Sequence, residues 1–177
     1  MTDPTNPLIV QGDLSVLAEV ASPRFEEARS QLARFAELEK APEHIHTYRI
    51  TPLSLWNAAV AGLSSGDVAA TITDLAKYPV APSVLAEVHD QMSRYGRLRL
   101  VRDHDTAALA LTSAEPALLE EVSRDKQVAE LLGDRLDGNR FAVRAGDRGV
   151  LKQALIRLGL PAADEAGYER GARLEGA

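Results

Sequence analysis

Two histidines one residue apart, His44 and His46, are the first residues whose type and spacing could do chemistry. They stand in EHIHTYRITPLSLWNAAVAG, residues 43–62, beside the carboxylate of Glu43. Strand alternation would put both imidazoles on one face, which is how a zinc site can begin. Zinc needs three or four ligands, and the only other histidines, His89 and His104, fall in distant elements. The sequence has no HExxH and no cysteine, which also excludes thiolate nucleophiles, disulfides and Cys-based metal centres. Histidines packed along a strand are therefore expected, and no metal site.

Phosphate chemistry fares no better. A phosphate loop needs G-x-x-x-x-G-K-[ST] after a strand, so that backbone N–H groups and a lysine surround the phosphates. GDRGVLK, residues 146–152, has its glycines and lysine at the wrong spacing. DEAG, residues 164–167, looks like a helicase metal-binding box with its last residue changed. It follows a proline and no apolar strand, so the likeness is read as coincidence. There is no Ser/His/Asp order with an elbow sequence and no convincing carboxylate pair, so neither catalytic nor cofactor-binding residues are expected.

Cations are the stronger signal. Between residues 135 and 157 stand Arg135, Arg140, Arg144, Arg148, Lys152 and Arg157 against Asp137 and Asp147, a local charge of +4. The whole chain carries −6, so the remainder carries −10. In the strand RFAVR, Arg140 and Arg144 share a face with Ala142. In the next helix Arg148, Lys152 and Ile156 are expected opposite Val150, Leu151, Ala154, Leu155 and Leu158, with Arg157 on a flank. Guanidinium groups in a row on rigid elements suit nucleic-acid phosphates, and a solvated charged face fits the pattern equally well. A weaker second set is Arg94, Arg97, Arg99 and Arg102. Glu87 and Asp90 on the helix before it are poor company for reading bases in a groove. The candidate DNA contacts are thus Arg140, Arg144, Arg148, Lys152, Arg157, Arg97 and Arg99.

These residues must be positioned by a chain that reads as α+β. Residues 7–20 suggest a hairpin around Gly12-Asp13. Phe25, Ala28, Leu32, Phe35 and Leu38 recur at helical spacing, which predicts one helix from Pro23 to about Lys40. HIHTYRI alternates as a strand, and Thr51-Pro52 caps a helix with Leu53, Trp56 and Val60 as its buried stripe, closed by Gly62. Ser64 with Asp67 resembles a capping box ahead of Val68, Ile72 and Leu75. Val84, Leu85, Val88, Met92 and Tyr95 line a further helix, stopped by Gly96. A hairpin, RLRLVR to AALALT, follows around DHDT. Three helices and a hairpin in that order outline a winged helix, at about residues 45–113. Two short helices, a hairpin at Asp137-Gly138, a helix capped by Gly159 and a tail with little to bury complete the chain. The expected division is a helix-rich domain at 1–113 and a small basic hairpin/helix domain at 114–177.

No run approaches the roughly eighteen apolar residues of a membrane span, and the first ten residues lack a signal-peptide pattern. A cytoplasmic, nucleoid-associated protein with no membrane partner is the expectation. Sixteen arginines against four lysines, with abundant alanine, suggest a GC-rich bacterial genome.

In order and spacing, PLIVQGDLSVLAEV, FAELEKAPEHIHTYRITPLSLWNAAVAG, YPVAPSVL and SRYGRLRLV resemble the N-terminal region of XPB-type DNA repair helicases, here an actinobacterial-like member. His44, His46, Tyr48, Thr51, Leu55, Tyr95 and Gly96 fall on the family pattern, and the likeness continues from Arg135 to Tyr168. The resemblance implies the region ahead of a superfamily 2, ATP-dependent 3′→5′ helicase motor working in nucleotide excision repair. ATP and Mg²⁺ would belong to that motor, whose Walker and DEAH motifs this sequence lacks. It further implies a damage-recognition-like domain in or next to the cationic segment and a partner-docking region before it. The implied partners are DNA, the motor lobes in cis and possible repair proteins. A protein-docking module without DNA binding is the alternative.

Overall fold

A four-stranded antiparallel sheet opens the computed structural model, which describes residues 3–103 and 107–167. The chain divides into two units, Met1–Ser93 and Arg94–Ala177. In the first unit β1 (Leu8–Val10) and β2 (Ser15–Glu19) form the expected hairpin. The left-handed residue in its loop is not Gly12 but Leu14, at φ 72°. Leu14 packs against the core, and its carbonyl accepts a 2.9 Å bond from the Ile50 N–H, which holds this otherwise disfavoured conformation.

The next helix is less than half its predicted length. α1 spans Phe25–Leu32, and the chain then turns so that Phe35, only 1% exposed, enters the core. The residues that continued the helical spacing become β3 (Glu37–Lys40), paired antiparallel with β4 (Ile45–Arg49). Nothing in ARFAELEK breaks a helix locally; the ladder with β4 and the burial of Phe35 override propensity. β4 keeps its expected alternation, with Tyr48 and the following Ile50 buried and Ile45 exposed. The sheet order is β1-β2-β4-β3. β1 is covered along its outer edge, where the Lys77 N–H donates to the Leu8 carbonyl at 2.7 Å and buried Asn6 bonds the Asp74 and Ala76 carbonyls. β3 is the other edge, with all four residues exposed and a register shift between Leu38 and Lys40.

Three helices complete this unit: α2 (Pro52–Val60), α3 (Ser65–Leu75) and α4 (Pro82–Ser93). Thr51 and Ser64 each build a capping box, with Ser54 and Asp67 as partners. The buried stripe of α2 is not the predicted one. Leu53 and Val60 are exposed, and Ser54, Leu55, Trp56 and Ala58 face inward, because the Trp56 indole N–H bonds the Gln91 carbonyl of α4 at 2.9 Å and fixes the rotation. Val68, Ile72 and Leu75 of α3 and Val84, Val88 and Met92 of α4 are buried as expected.

The second unit corrects the winged-helix reading. β5 (Arg99–Arg102) and β6 (Leu109–Thr112) do form a hairpin. It belongs to a second sheet, because β6 pairs along its whole length with β8 (Arg140–Val143), matching Leu111 to Phe141 and Leu109 to Val143. The boundary expected near residue 113 accordingly moves to Ser93/Arg94. The sheet runs β7-β8-β6-β5-β9, with β7 (Leu132–Asp137) on one edge and the two-residue β9 (Ala163–Asp164) on the other, parallel to β5. α5 (Pro116–Ser123), α6 (Lys126–Leu131) and α7 (Arg148–Arg157) share a core with Leu100, Leu109, Leu111 and Val143. Gly159, at φ 78°, ends α7 as expected. The predicted free tail begins too early, since Ala163 is buried beside β5. The DHDT turn after Asp103 and everything from Tyr168 onward lie outside the described residues.

Candidate nucleic-acid interface

Arg99 and Arg140, predicted in separate clusters, come together. Thr112 of β6 is directly opposite Arg99 on one side and Arg140 on the other. Directly opposed residues point to the same face, so the two guanidiniums share one surface two strands apart, roughly 10 Å between backbones. Val101, Ala110 and Ala142 continue that face by alternation, whereas Leu100, Leu111 and Phe141 alternate to the helix side.

Neither arginine is unopposed. Arg99 pairs with Glu165 at 2.8 Å; Arg140 bridges Asp137 and Asp103, each at 2.9 Å. Hydrogen bonds from the Asn139 N–H and from Arg140 draw the Asp137 carboxyl below its ordinary range, so it stays ionised beside Arg140.

Arg148 overturns its expected placement on the solvent side of α7. It is 8% exposed and grips Asp164 with two bonds, of 2.6 and 2.9 Å, while Lys152 one turn later adds a third at 3.0 Å. β9 lies along this flank of the helix, which is why the flank is not free. Burial pushes the Asp164 carboxyl up, but the hydrogen bonds and charges of Arg148 and Lys152 outweigh it and hold the pKa at about 2.

The remaining candidates lie at the margins. Arg97 forks onto Glu115 at 2.8 and 3.0 Å. Arg144 pairs with Asp147 at 2.7 Å and Arg157 with Asp125 at 2.8 Å. Arg135, at the β7 edge, binds Glu120 and lies over the Phe141 ring at 4.6 Å. Every one of the seven predicted contact residues thus has a carboxylate partner within the chain. Over the whole of residues 94–177, fourteen basic residues face fourteen acidic ones. The local +4 is not a net charge of the unit that holds it.

Sequence reasoning missed the partners, Asp103, Glu115, Asp125, Asp164 and Glu165. The signal that could have found Asp164 is an acidic pair just past a Gly-Pro helix stop, where the returning chain must run back beside the helix that precedes it. The same three bonds occupy the carboxylate that made DEAG look like a metal box.

The histidines do not meet. His44 is 88% exposed beside Glu43; His46 packs edge-to-face on Phe25 with centroids 5.1 Å apart; His89 bonds the Ser65 hydroxyl. His104 lies outside the described residues. Among the described residues no three His, Asp or Glu side chains gather as metal ligands, and no helix is long and apolar enough to cross a membrane.

Comparison with known proteins decides the family. Residues 8–137 match the model described as the helicase conserved C-terminal domain. The chain belongs to that family. That description does not put the region ahead of a motor, where the resemblance had placed it. The chain is 49% identical over 171 residues to the DNA 3'-5' helicase XPB of Kineococcus radiotolerans, covering 97% of this chain and 30% of that protein. It is 47% identical over 171 residues to the DNA 3'-5' helicase XPB of Mycobacterium tuberculosis, covering 97% and 31%. The Saccharomyces cerevisiae general transcription and DNA repair factor IIH helicase/translocase subunit XPB/SSL2 is 31% identical over 147 residues, 83% of this chain and 17% of that one. This chain is therefore an XPB-type helicase region and spans under a third of the length of those relatives.

Proposed function

We propose that the chain is the non-catalytic, pre-motor region of an XPB-like ATP-dependent 3′→5′ DNA helicase acting in DNA repair. Its second unit touches the DNA backbone, and its acidic first unit contacts protein, the motor lobes included. The collinear match of 97% of the chain to actinobacterial helicases carries this reading. Arg99 and Arg140 on one sheet face are the best-placed phosphate ligands, with Arg144 and Arg157 exposed at the margins. Such contacts supply affinity without sequence choice, and DNA that is already distorted is favoured because bending it costs less.

Fluorescence anisotropy with a labelled duplex at two ionic strengths tests this. Weak binding that falls steeply with salt is expected, and Arg99→Glu with Arg140→Glu abolishes it. Arg144→Glu with Lys152→Glu weakens it less, since Lys152 is engaged with Asp164. The carboxylate partner of every candidate cation favours a second reading, a protein-docking module with no DNA role. In that case all variants are silent in anisotropy, and a pull-down with separately expressed motor lobes still captures each of them.

A further inference from the structure

Four cations from two elements converge on one short segment. Asp164 takes Arg148 and Lys152 from α7; Glu165 takes Arg99 from β5. Arg102 of β5 donates to the carbonyls of Ala166 and Gly167 at 3.2 and 3.3 Å. Three of the four are candidate phosphate ligands, so residues 163–167 occupy in cis what DNA would occupy in trans. The geometry is what a phosphate run would present: two consecutive anionic side chains followed by two carbonyl acceptors, held by guanidinium and ammonium groups.

The segment is also lightly anchored. β9 is a two-residue edge strand, tied to β5 by the Ala163 N–H to the Leu98 carbonyl and the Glu165 N–H to the Leu100 carbonyl, each 2.9 Å. Ala163 is the buried apolar side chain in it, a small one. Beside those two backbone bonds and the small Ala163 and Ala166 side chains, its attachment is electrostatic, the kind of hold that a competing polyanion displaces.

We propose that residues 163–167 are an autoinhibitory strap, a carboxylate mimic of the DNA backbone that masks Arg99, Arg148 and Lys152 until nucleic acid displaces it. This rests on the DNA-contact reading above.

The test is anisotropy with the full chain and a labelled duplex. Glu165→Gln is expected to tighten binding several-fold and to steepen the log–log salt slope by about 1 for the one cation freed. Asp164→Asn tightens it further. Because Asp164→Asn also removes a part-buried ion pair, the decisive arm uses the solvent-accessible pair: Arg99→Gln added to Glu165→Gln returns affinity to that of the parent, a non-additivity that mere loosening of the fold would not produce. Glu121→Gln, an exposed carboxylate on α5 away from the strap, controls for net charge. Equal gains from Glu121→Gln and Glu165→Gln, or parent-like binding by Glu165→Gln, overturn the strap and leave the DNA reading standing. Absence of binding by parent and variants alike removes the DNA reading, and the strap with it.

Discussion

The two units differ in how their charges balance. Residues 1–93 hold six basic and twelve acidic residues, and several of their ion pairs are close in sequence: Arg24–Glu27, Arg29–Glu26 and Arg49–Glu39. Residues 94–177 are balanced at fourteen and fourteen, and beside local pairs such as Arg144–Asp147 several reach across the fold: Arg140–Asp103, Arg157–Asp125, Arg99–Glu165 and Arg148–Asp164. A run of cations along a chain is thus a poor guide to surface potential when the sheet brings carboxylates from elsewhere. The first unit keeps a net acidic excess even with the distant pairs Arg24–Asp74 and Lys77–Glu19; the second has equal numbers of both signs.

The largest break expected in this comparison comes from the separate cores. Leu155→Ala in α7, a fully buried position, should cost the second unit about 3 kcal/mol. Trp56, the sole tryptophan, reports on the first unit alone, so its urea transition should stay put while amide exchange quickens in β6 and α7. A matching shift of the Trp56 transition would show that the units unfold as one body. Next comes acid. Asp164 has a folded pKa of about 2, below its unfolded value near 3.8, so its stabilisation is complete above about pH 4 and lost as pH falls toward 2. That shift is worth about 2 kcal/mol, to be read as faster exchange in α7 and β9 between those pH values, and Asp164→Asn should flatten the dependence.

Smaller effects sharpen the contrast from the other side. Thr51→Ala removes the α2 capping box and should cost the first unit about 1 kcal/mol, visible in the Trp56 transition and not in second-unit exchange. Arg157→Gln breaks an exposed pair with Asp125 and should leave the melting temperature unchanged within error, since exposed ion pairs contribute little. A clear drop would mean that the distant pairs of the second unit act as a network.

How much of this could be read beforehand depended on range. Several signals within four residues held: the cap at Thr51, the capping box at Ser64, the β4 alternation, and the glycine ending α7. Signals needing a partner far along the chain failed. Residues 37–40 read as helix because their spacing is helical, and only β4 makes them strand. The 99–112 hairpin read as a wing because three helices precede it, and only β8 claims it for the other sheet. Candidate cations were located by number but not by partner, because Asp103, Asp125 and Asp164 sit 37, 32 and 16 residues from the arginines they hold.

One exposed strand bears on how the molecule behaves among copies of itself. β3 offers Glu37, Leu38, Glu39 and Lys40 to solvent, and its ladder slips out of step after Leu38. A neighbouring chain extending this sheet would meet charged side chains and a strand whose register is irregular. Both are devices that disfavour edge-to-edge growth from that border.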